Sequence, residues 1–438
     1  MCLRFFACLL VLVAVAAGTP TALAGFCEPL APSVGPTESV ASESQIRDRA
    51  YNAPAGTTLL IAPGTYSLTS YIHIVNDGVS LRGATGNRDE VILDFGGMVG
   101  GQFGVLVDGD QVVLADLTIR NTTDHGVSIQ GADNPTLYNL HIVDSNDQLV
   151  KVNPVGDGSE DGLLACSLLE YTTSAPDTYT NGISAHNAQR WVVRDNVWRR
   201  IRTSSDDVPV QTILFWSGSR DTVVERNLLI DCSRGIAFGD SSHGPGDHLG
   251  GIVRNNIMYS RLPHDTAIEM VHATGWLVAH NTVLLLDPLP GLSWGIEARY
   301  ADTAGTFANN LTNMTIWENR DGSEALAGSD NIETADPGWL VDPESLDFRL
   351  TTRAGLAIDR GSSSYLGQIP ADFHGELRDA TPDTGADEWQ PGLSDVIEML
   401  RILAGLAGSS ALIDDINNDG VIGLAEAIHL LTWLVGSE

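Results

Sequence analysis

The sequence predicts an all-β chain that winds into a parallel β-helix and ends in a small α-helical module. β-Rich runs of seven residues, such as NGISAHN and WGIEARY, recur seven times at intervals of roughly 22 to 33 residues. A second β-rich run, such as WVVRDNVW or TVVERNLLI, follows each of them. Gly, Asn, Asp and Pro break the runs, as in strands joined by turns. No such unit buries its apolar side alone, so the units must stack, and strands this short fit the coils of a β-helix.

Asparagine recurs at one place in the second family of runs. The recurring residues are Asn196, Asn227, Asn256, Asn281 and Asn310. Amides stacked at a coil bend satisfy one another's hydrogen bonds, as in the asparagine ladders of stacked strands. We therefore expect a structural ladder at these positions rather than a catalytic group.

Both ends of the repeat region also read as parts of a solenoid. The run APAGTTLLIAPGTYSL (53–68) reads as turn, strand, turn and strand, and ASESQIRDRA ahead of it reads as a short helix. Ser42 and Gln45 form its capping box, and the helix is suited to covering the open edge of the first coil. The runs LDFRLTTRAGLAIDRG and DFHGELRDATPDTGADEW complete the body near residue 389.

Residues 1–24 read as a secretory signal peptide. Arg4 precedes the apolar run FFACLLVLVAVAA, and Ala22-Leu23-Ala24 forms a small-residue cleavage site. We expect a secreted protein, extracellular, at the cell surface or periplasmic, with a linker over 25–44 and no membrane insertion.

Three cysteines remain after the signal: Cys27, Cys166 and Cys232. Their odd number and wide spacing do not indicate a disulfide framework. We expect Cys166 and Cys232 to be buried residues of the core.

The charge limits the partners of the chain. Its formal net charge is −32, and Lys151 is its single lysine. Such a charge disfavours nucleic acid and anionic membranes as partners. It also repels a polyanionic substrate unless a cation mediates binding.

Residues 45–390 resemble a known superfamily. The segments AGTTLLIAPGTY, NGISAHN with VVRDN, and DFHGELRDATPDTGADE resemble secreted right-handed parallel β-helix proteins of the pectin-lyase-like superfamily. That resemblance implies a right-handed helix and a polysaccharide partner. The fold carries lyases, hydrolases, epimerases, esterases and adhesins, so it does not fix one activity.

The repeat also predicts which side chains face outwards. Side chains alternate between the two faces of a strand. We align the runs of the first family on their apolar third and fifth positions, such as Val150 and Val152, which point into the coil. The fourth and sixth positions then face solvent along one sheet. Lys151 therefore lies between two valines because the valines point into the core and the lysine does not.

Lys151 and His186 form the first predicted site on this face. They lie on adjacent coils, within reach of a common substrate atom, and either is a candidate general base. Asn153 and Gln130 are candidate substrate contacts beside them. Lyases of the superfamily remove the proton α to a uronic carboxylate with a Lys or Arg base, often with Ca²⁺, and the resemblance implies that chemistry here.

Glu269, Glu297 and Arg299 form a second predicted site, five coils or about 24 Å from Lys151. Two carboxylates on adjacent coils can bind a cation or act on a glycosidic bond, and an ion pair between Glu297 and Arg299 is the simpler alternative. Between the two sites, Phe215 or Trp216 faces outwards and stacks on a sugar ring; the outward alignment places Phe215 there.

Three functions remain open from these residues. The first is a lyase or epimerase that acts on a uronate-containing glycan through Lys151 and His186. The second is a glycosidase whose acids are Glu269 and Glu297. The third is a non-catalytic glycan-binding or surface-attachment protein.

Residues 391–438 carry a calcium-loop motif, DINNDGVIGLAE (415–426). Its spacing matches an EF-hand loop. The predicted Ca²⁺ ligands are Asp415, Asn417, Asp419, Val421 and Glu426. Amphipathic runs starting at residues 392 and 423 repeat each other, and the tail resembles a dockerin or related EF-hand module with one competent loop. The resemblance implies attachment to a cohesin-like or cell-surface anchoring protein.

Overall fold

A computed structural model describes residues 27–390, apart from 33, 101–102, 177–178, 205–209 and 329, and a few positions between 397 and 431. The predicted signal peptide lies outside the described residues. So do the predicted Ca²⁺ ligands Asp415, Asn417, Asp419, Val421 and Glu426.

One sheet of ten parallel strands carries the side chains that the repeat predicts to point outwards, and we call it the face sheet. The predicted solvent exposure of its fourth positions is wrong, because Ser128, Lys151, Ser184, Glu269 and Glu297 are buried. The strands of the face sheet are Ile72–Ile74, Val105–Val107, Val127–Gln130, Val150–Asn153, Ile183–His186, Gln211–Trp216, Arg234–Phe238, Ile268–Val271, Trp294–Arg299 and Thr315–Arg320. Each strand pairs with the strand of the next coil, so the sheet runs along the solenoid axis.

The other sides of the coils form one sheet of 24 strands, the wall sheet. Its strands are Thr37–Val40, Thr58–Ile61, Gly64–Ser67, Ser80–Gly83, Val91–Asp94, Val113–Arg120, Thr136–Val143, Ser159–Glu160, Leu163–Ala165, Leu168–Glu170, Ala188–Gln189, Val192–Arg194, Val197–Arg199, Ser219–Arg220, Val223–Glu225, Leu228–Ile230, His248–Leu249, Ile252–Arg254, Ile257–Ser260, Ala273–Ala279, Thr282–Leu285, Ala304–Ala308, Leu311–Thr312 and Leu326–Ala327. All of its pairings are parallel, so the prediction of a parallel β-helix is confirmed.

Short elements complete the described chain. An antiparallel pair joins Leu340–Asp342 to Asp347–Leu350. The 3₁₀ turns are Arg88–Glu90, Pro337–Trp339, Pro343–Ser345 and Ser363–Tyr365. Within the described residues, no helix is long and apolar enough to cross a membrane.

The interior is one apolar cluster that extends from Val40 to Ala325 through the coils. Val150 and Val152 are fully buried in it, as their alternation with Lys151 predicts. Each coil thus buries its apolar residues against the coils on either side, which stabilises a stack that no single coil could support.

The prediction that Phe215 faces outwards is wrong. Phe215 pairs with Ala185 and is 0% exposed, whereas Trp216 pairs with His186. The run Ile213–Leu214–Phe215–Trp216 is apolar at every position, so its pattern does not show which residues point inwards. Packing places Ile213 and Phe215 in the core, one residue away from the predicted alignment.

The asparagine ladder is confirmed. The side-chain Nδ2 of each asparagine donates to Oδ1 of the next at 3.0 Å from Asn196 as far as Asn310. Asn331 extends the ladder by one amide, at 2.9 Å. The residue before each of the five predicted members has φ between 49° and 59°, the left-handed conformation that turns the chain sharply at a coil corner.

The predicted N-terminal helix is confirmed as Glu43–Asn52, with Ser42 as its cap. The Ser42 hydroxyl accepts from the Gln45 amide, and the Gln45 side chain accepts from the backbone of Ala41. Ahead of the helix, the strand Thr37–Val40 pairs with Thr58–Ile61, so part of the predicted 25–44 linker already belongs to the wall sheet.

Cys27 and Cys166 form a disulfide across 139 residues, a pairing that the number and spacing of the cysteines do not indicate. The wall sheet brings residue 166 beside the N-terminal segment, a proximity that sequence spacing does not reveal. The predicted burial of Cys166 and Cys232 is confirmed. Cys232 is a free thiol, and burial raises its pKa to about 11.

A buried ion pair fixes the C-terminal end of the body. The Arg378 side chain is fully buried and donates to Glu388 Oε2 and Asn255 Oδ1, each at 3.0 Å. Asn255 lies at a coil corner, so this contact ties the DFHGELRDATPDTGADE segment to the solenoid.

Candidate functional site

One outward row of side chains runs along the whole face sheet. In order along the axis it comprises His73, Leu106, Ser128, Lys151, Ser184, Leu214, Ala237, Glu269, Glu297 and Trp317, each in register with the next. Adjacent strands lie about 4.8 Å apart, which places Glu297 about 24 Å from Lys151. The structure therefore separates the predicted site residues into two clusters.

Lys151 is enclosed by three hydrogen-bond acceptors. Its Nζ lies 3.0 Å from His186 Nε2, 3.2 Å from Ser184 Oγ and 3.4 Å from the Tyr179 hydroxyl. Lys151 is 4% exposed, and its ammonium also lies 5.6 Å from the centre of the Tyr179 ring. No carboxylate contacts Nζ among the described ion pairs, so neutral groups satisfy its three donors.

This environment changes the protonation of both predicted bases. Burial lowers the pKa of Lys151 to about 8, and the charge of Asp147 partly opposes that effect. Burial, together with the charges of Lys151 and His243, lowers the pKa of His186 to about 4. His186 is therefore neutral at pH 7 and accepts from Lys151 through Nε2. Lys151 has the pKa that suits a general base near neutral pH.

The structure adds an acidic group that the sequence reasoning missed. Asp124, His125 and Asp147 each offer one atom that could bind a metal ion, and these three atoms lie within 4.8 Å of one another. The charge of Asp147 raises the pKa of Lys151. Burial is the larger cause, and the charge of Lys151 the smaller one, of the lowered pKa of His125, which is about 4. Asp124 and Asp147 each lie three residues before a face-sheet strand. An alignment of the two adjacent coils would therefore have shown an aspartate at the same position in both.

Polar and aromatic side chains flank this cluster. Gln130 Nε2 donates to Ser128 Oγ at 2.8 Å, and Asn153 pairs in register with Gln130. The predicted substrate contacts Asn153 and Gln130 therefore lie beside Lys151.

Trp216 forms the opposite flank. It meets His186 edge to face at 4.5 Å and stacks on His243 at 4.6 Å, while His243 Nδ1 lies 2.7 Å from Asp247 Oδ1. The outward aromatic beside the lysine is thus Trp216, in place of Phe215.

The second cluster is a network of ion pairs. Glu269 and Glu297 are in register on adjacent strands, as predicted. Glu269 Oε1 lies 3.3 Å from Arg234 Nη1 and accepts from Gln211 Nε2 at 3.1 Å. Glu297 pairs with Arg320, and burial raises its pKa although Arg320 opposes the effect.

The alternative that Glu297 forms its ion pair with Arg299 is wrong. Arg299 donates instead to Asp321, with 3.1 Å between Nε and Oδ2. The register of the last two face-sheet strands shifts between Glu297 and Arg299, which places Arg320 opposite Arg299 and within reach of Glu297.

No family model and no curated protein matches the sequence. The structure is similar to pectate lyase Pel9A, with a TM-score of 0.59 and 15% identity over 82% of this chain and 97% of that one. An alginate lyase from Paenibacillus sp. strain FPU-7 matches with a TM-score of 0.48 and 17% identity over 68% of this chain and 99% of that one. The A-module of the Azotobacter vinelandii mannuronan C-5 epimerase AlgE4 matches with a TM-score of 0.38 and 12% identity over 72% of this chain and 98% of that one.

The similarity to Pel9A shows the fold. The chain is a β-helix protein with a pectate-lyase-like solenoid. At 15% identity the similarity to Pel9A does not extend to the reaction, so the activity has to be argued from the side chains of the face sheet.

Proposed function

We propose that the chain is a polysaccharide lyase that cleaves a uronate-containing glycan by β-elimination, with Lys151 as the base. The observation that carries the proposal is the environment of this lysine. It lies on the outward row, three neutral acceptors surround its Nζ, and burial brings its pKa to about 8.

The proposed reaction needs one base at one carbon. The neutral amine of Lys151 takes the proton from the carbon α to the uronic carboxylate. The electron pair left there forms a carbon–carbon double bond as the bond from the β carbon to the glycosidic oxygen breaks, and that oxygen takes a proton from water. His186 and Ser184 hold Nζ in place through their hydrogen bonds.

Asp124 and Asp147 fit a Ca²⁺ ion beside this base. Ca²⁺ takes oxygen ligands, and these two carboxylates approach each other on adjacent coils. His125 Nδ1 is buried and has no hydrogen-bond partner among the described residues, and it lies 3.2 Å from Asp124 Oδ1 and 4.0 Å from Asp147 Oδ2. When bound, the cation would neutralise the uronic carboxylate and so make the α proton more acidic.

An acidic protein needs such a cation to accept an acidic polymer. The formal net charge of −32 repels a polyuronate. The carboxylates of Asp124 and Asp147 add to this repulsion locally, and a bound divalent cation would cancel their charge beside Lys151.

The experiment follows the ultraviolet absorbance of the unsaturated ends that β-elimination creates. The full chain is incubated with alginate, pectate and other uronate polymers, first with Ca²⁺ and then with a chelator. We expect absorbance to rise with at least one polymer and the rise to vanish in Lys151→Met.

Glu269→Gln is the matched variant, because it alters the other cluster on the same row. It should keep the elimination activity. New reducing ends without absorbance, lost in Glu269→Gln, would refute the lyase and support a glycosidase. Inversion at the α carbon without cleavage, detected by proton NMR, would instead support an epimerase using the same base. Binding without any turnover would support a glycan-binding protein.

We further propose that the chain is exported and that Asp415, Asn417, Asp419, Val421 and Glu426 bind Ca²⁺ in an attachment module. The support is the position-by-position match of residues 415–426 to an EF-hand loop. Calorimetric Ca²⁺ titration of the full chain and of Asp415→Ala tests the loop, because the variant should lose one binding event. An unchanged titration would contradict the assignment.

A further inference from the structure

We propose that Trp317, Trp294 and Arg320 form a distal sugar-binding subsite at the C-terminal end of the face sheet. The inference rests on the proposed function, since it assigns the ligand as a remote part of the same uronate polymer. Its starting point is Trp317, a large apolar side chain that lies on the outward row and is 37% exposed.

The two indoles and the guanidinium form one rigid group. The rings of Trp294 and Trp317 meet at 72° with their centres 4.9 Å apart. The Arg320 guanidinium lies 4.7 Å from the Trp294 ring centre and 5.2 Å from that of Trp317. Hydrogen bonds to Thr266 Oγ1 at 3.1 Å and Asn319 Oδ1 at 3.2 Å fix the two indole nitrogens.

A buried ion pair holds the guanidinium of this group in place. Arg320 pairs with the buried carboxylate of Glu297, which holds the guanidinium beside both rings. A site whose side chains are already ordered loses little entropy when a ligand binds. Glu297 therefore helps to position an exposed aromatic surface, which gives its carboxylate a role other than proton transfer.

The chemistry of the group suits a sugar residue. An indole face packs against the C–H groups of a pyranose ring, and the remaining N–H groups of Arg320 can donate to a hydroxyl or a carboxylate. A single exposed tryptophan beside charged groups differs from a broad apolar patch of the kind that binds another protein.

The position of Trp317 indicates which sugar residue binds. Trp317 shares the outward row with Lys151 and lies six strands away, about 29 Å along the axis. The spacing between strands is close to the length of one hexose residue. A polymer bound along the face sheet from Lys151 thus reaches Trp317 with a residue about six units away, and a short oligomer bound at Lys151 does not reach it.

The test compares polymer and tetrasaccharide binding by calorimetry in the Lys151→Met background, which prevents turnover. Trp317→Ala should weaken polymer binding by about three- to tenfold, the range expected for one aromatic contact, and leave tetrasaccharide binding unchanged. Trp317→Phe should retain most of the polymer affinity. Leu326→Ala, which removes an exposed apolar side chain from the wall sheet, should change neither affinity.

The outcomes separate this subsite from the proposed activity. Unchanged polymer affinity in Trp317→Ala, or equal losses for polymer and tetrasaccharide, would overturn the subsite, even if wild-type lyase activity is present. Polymer binding that depends on Trp317 in a protein without elimination activity would support the subsite and overturn the lyase.

Discussion

The lysine of the face sheet can be titrated alone, because Lys151 is the only lysine in the chain. Protein labelled with ¹³C at lysine Cε therefore gives a single side-chain resonance, without assignment by mutation. We expect this resonance to titrate near pH 8, well below the ordinary value of 10.5.

The expected effect on base strength follows from the two pKa values. At pH 8 about half of the Lys151 side chains are neutral, whereas about 0.3% of ordinary lysines are. The lowered pKa thus raises the population of active base about 150-fold at that pH. The rate kcat/KM should rise tenfold per pH unit well below pH 8 and level off above it, because the neutral amine accepts the proton.

Tyr179 provides the perturbation, because it is 54% exposed and its ring lies over the ammonium. Tyr179→Ala opens Lys151 to water, so the pKa should return towards 10.5 and the rate plateau should move to higher pH with it. Tyr179→Phe keeps the cover and removes one acceptor of the ammonium, at 3.4 Å, so it should lower the pKa slightly. The NMR titration needs no substrate and separates these effects from substrate binding.

A resonance that titrates near 10.5 in the wild type would refute the reasoning. Lys151 would then be an ordinary solvated cation, too protonated at neutral pH to act as the base. A midpoint near 8 in both the wild type and Tyr179→Ala would show that Tyr179 does not lower the pKa of Lys151, and a rate independent of pH would show that Lys151 is not the base.

Three further predictions concern the cation and the stability of the body. Asp147→Asn should weaken Ca²⁺ binding, measured by calorimetry, at least tenfold, or by about 1.4 kcal/mol or more. It should also lower the pKa of Lys151 below 8, because it removes a negative charge that favours the ammonium. Unchanged Ca²⁺ affinity and an unchanged pKa would contradict the site. Arg378→Met should lower the free energy of unfolding by about 3–5 kcal/mol in urea, because it leaves Glu388 buried and unpaired, whereas Arg349→Met at an exposed pair should change it little. Cys27→Ser should cost about 4–5 kcal/mol for the opened loop, and reductant should then have no further effect; a variant as stable as the oxidised wild type would contradict this.

The sequence was sufficient for the parts of the structure that repeat. The outward position of Lys151 and the pairing of Glu269 with Glu297 follow from strict alternation within short strands, which the coils then align. The asparagine ladder follows for the same reason, since equivalent corners must stack.

Features that depend on contacts between dissimilar segments could not be read from the sequence. Cys166 meets Cys27 because the N-terminal segment folds back onto the wall sheet. Arg320 replaces Arg299 as the partner of Glu297 through a local shift of register. Phe215 lies in a run without alternation, where packing decides its side.

The disulfide has a consequence for how the solenoid comes apart. Stacked coils detach from their ends one after another, because each coil contacts only its neighbours. The bond between Cys27 and Cys166 ties the first coils to the middle of the wall sheet, so the N-terminal end cannot peel away freely. Unravelling in the oxidised protein must therefore begin at the C-terminal end, at the contact between Arg378 and Asn255. Limited proteolysis should accordingly shorten the chain from that side and spare the coils around Lys151 the longest.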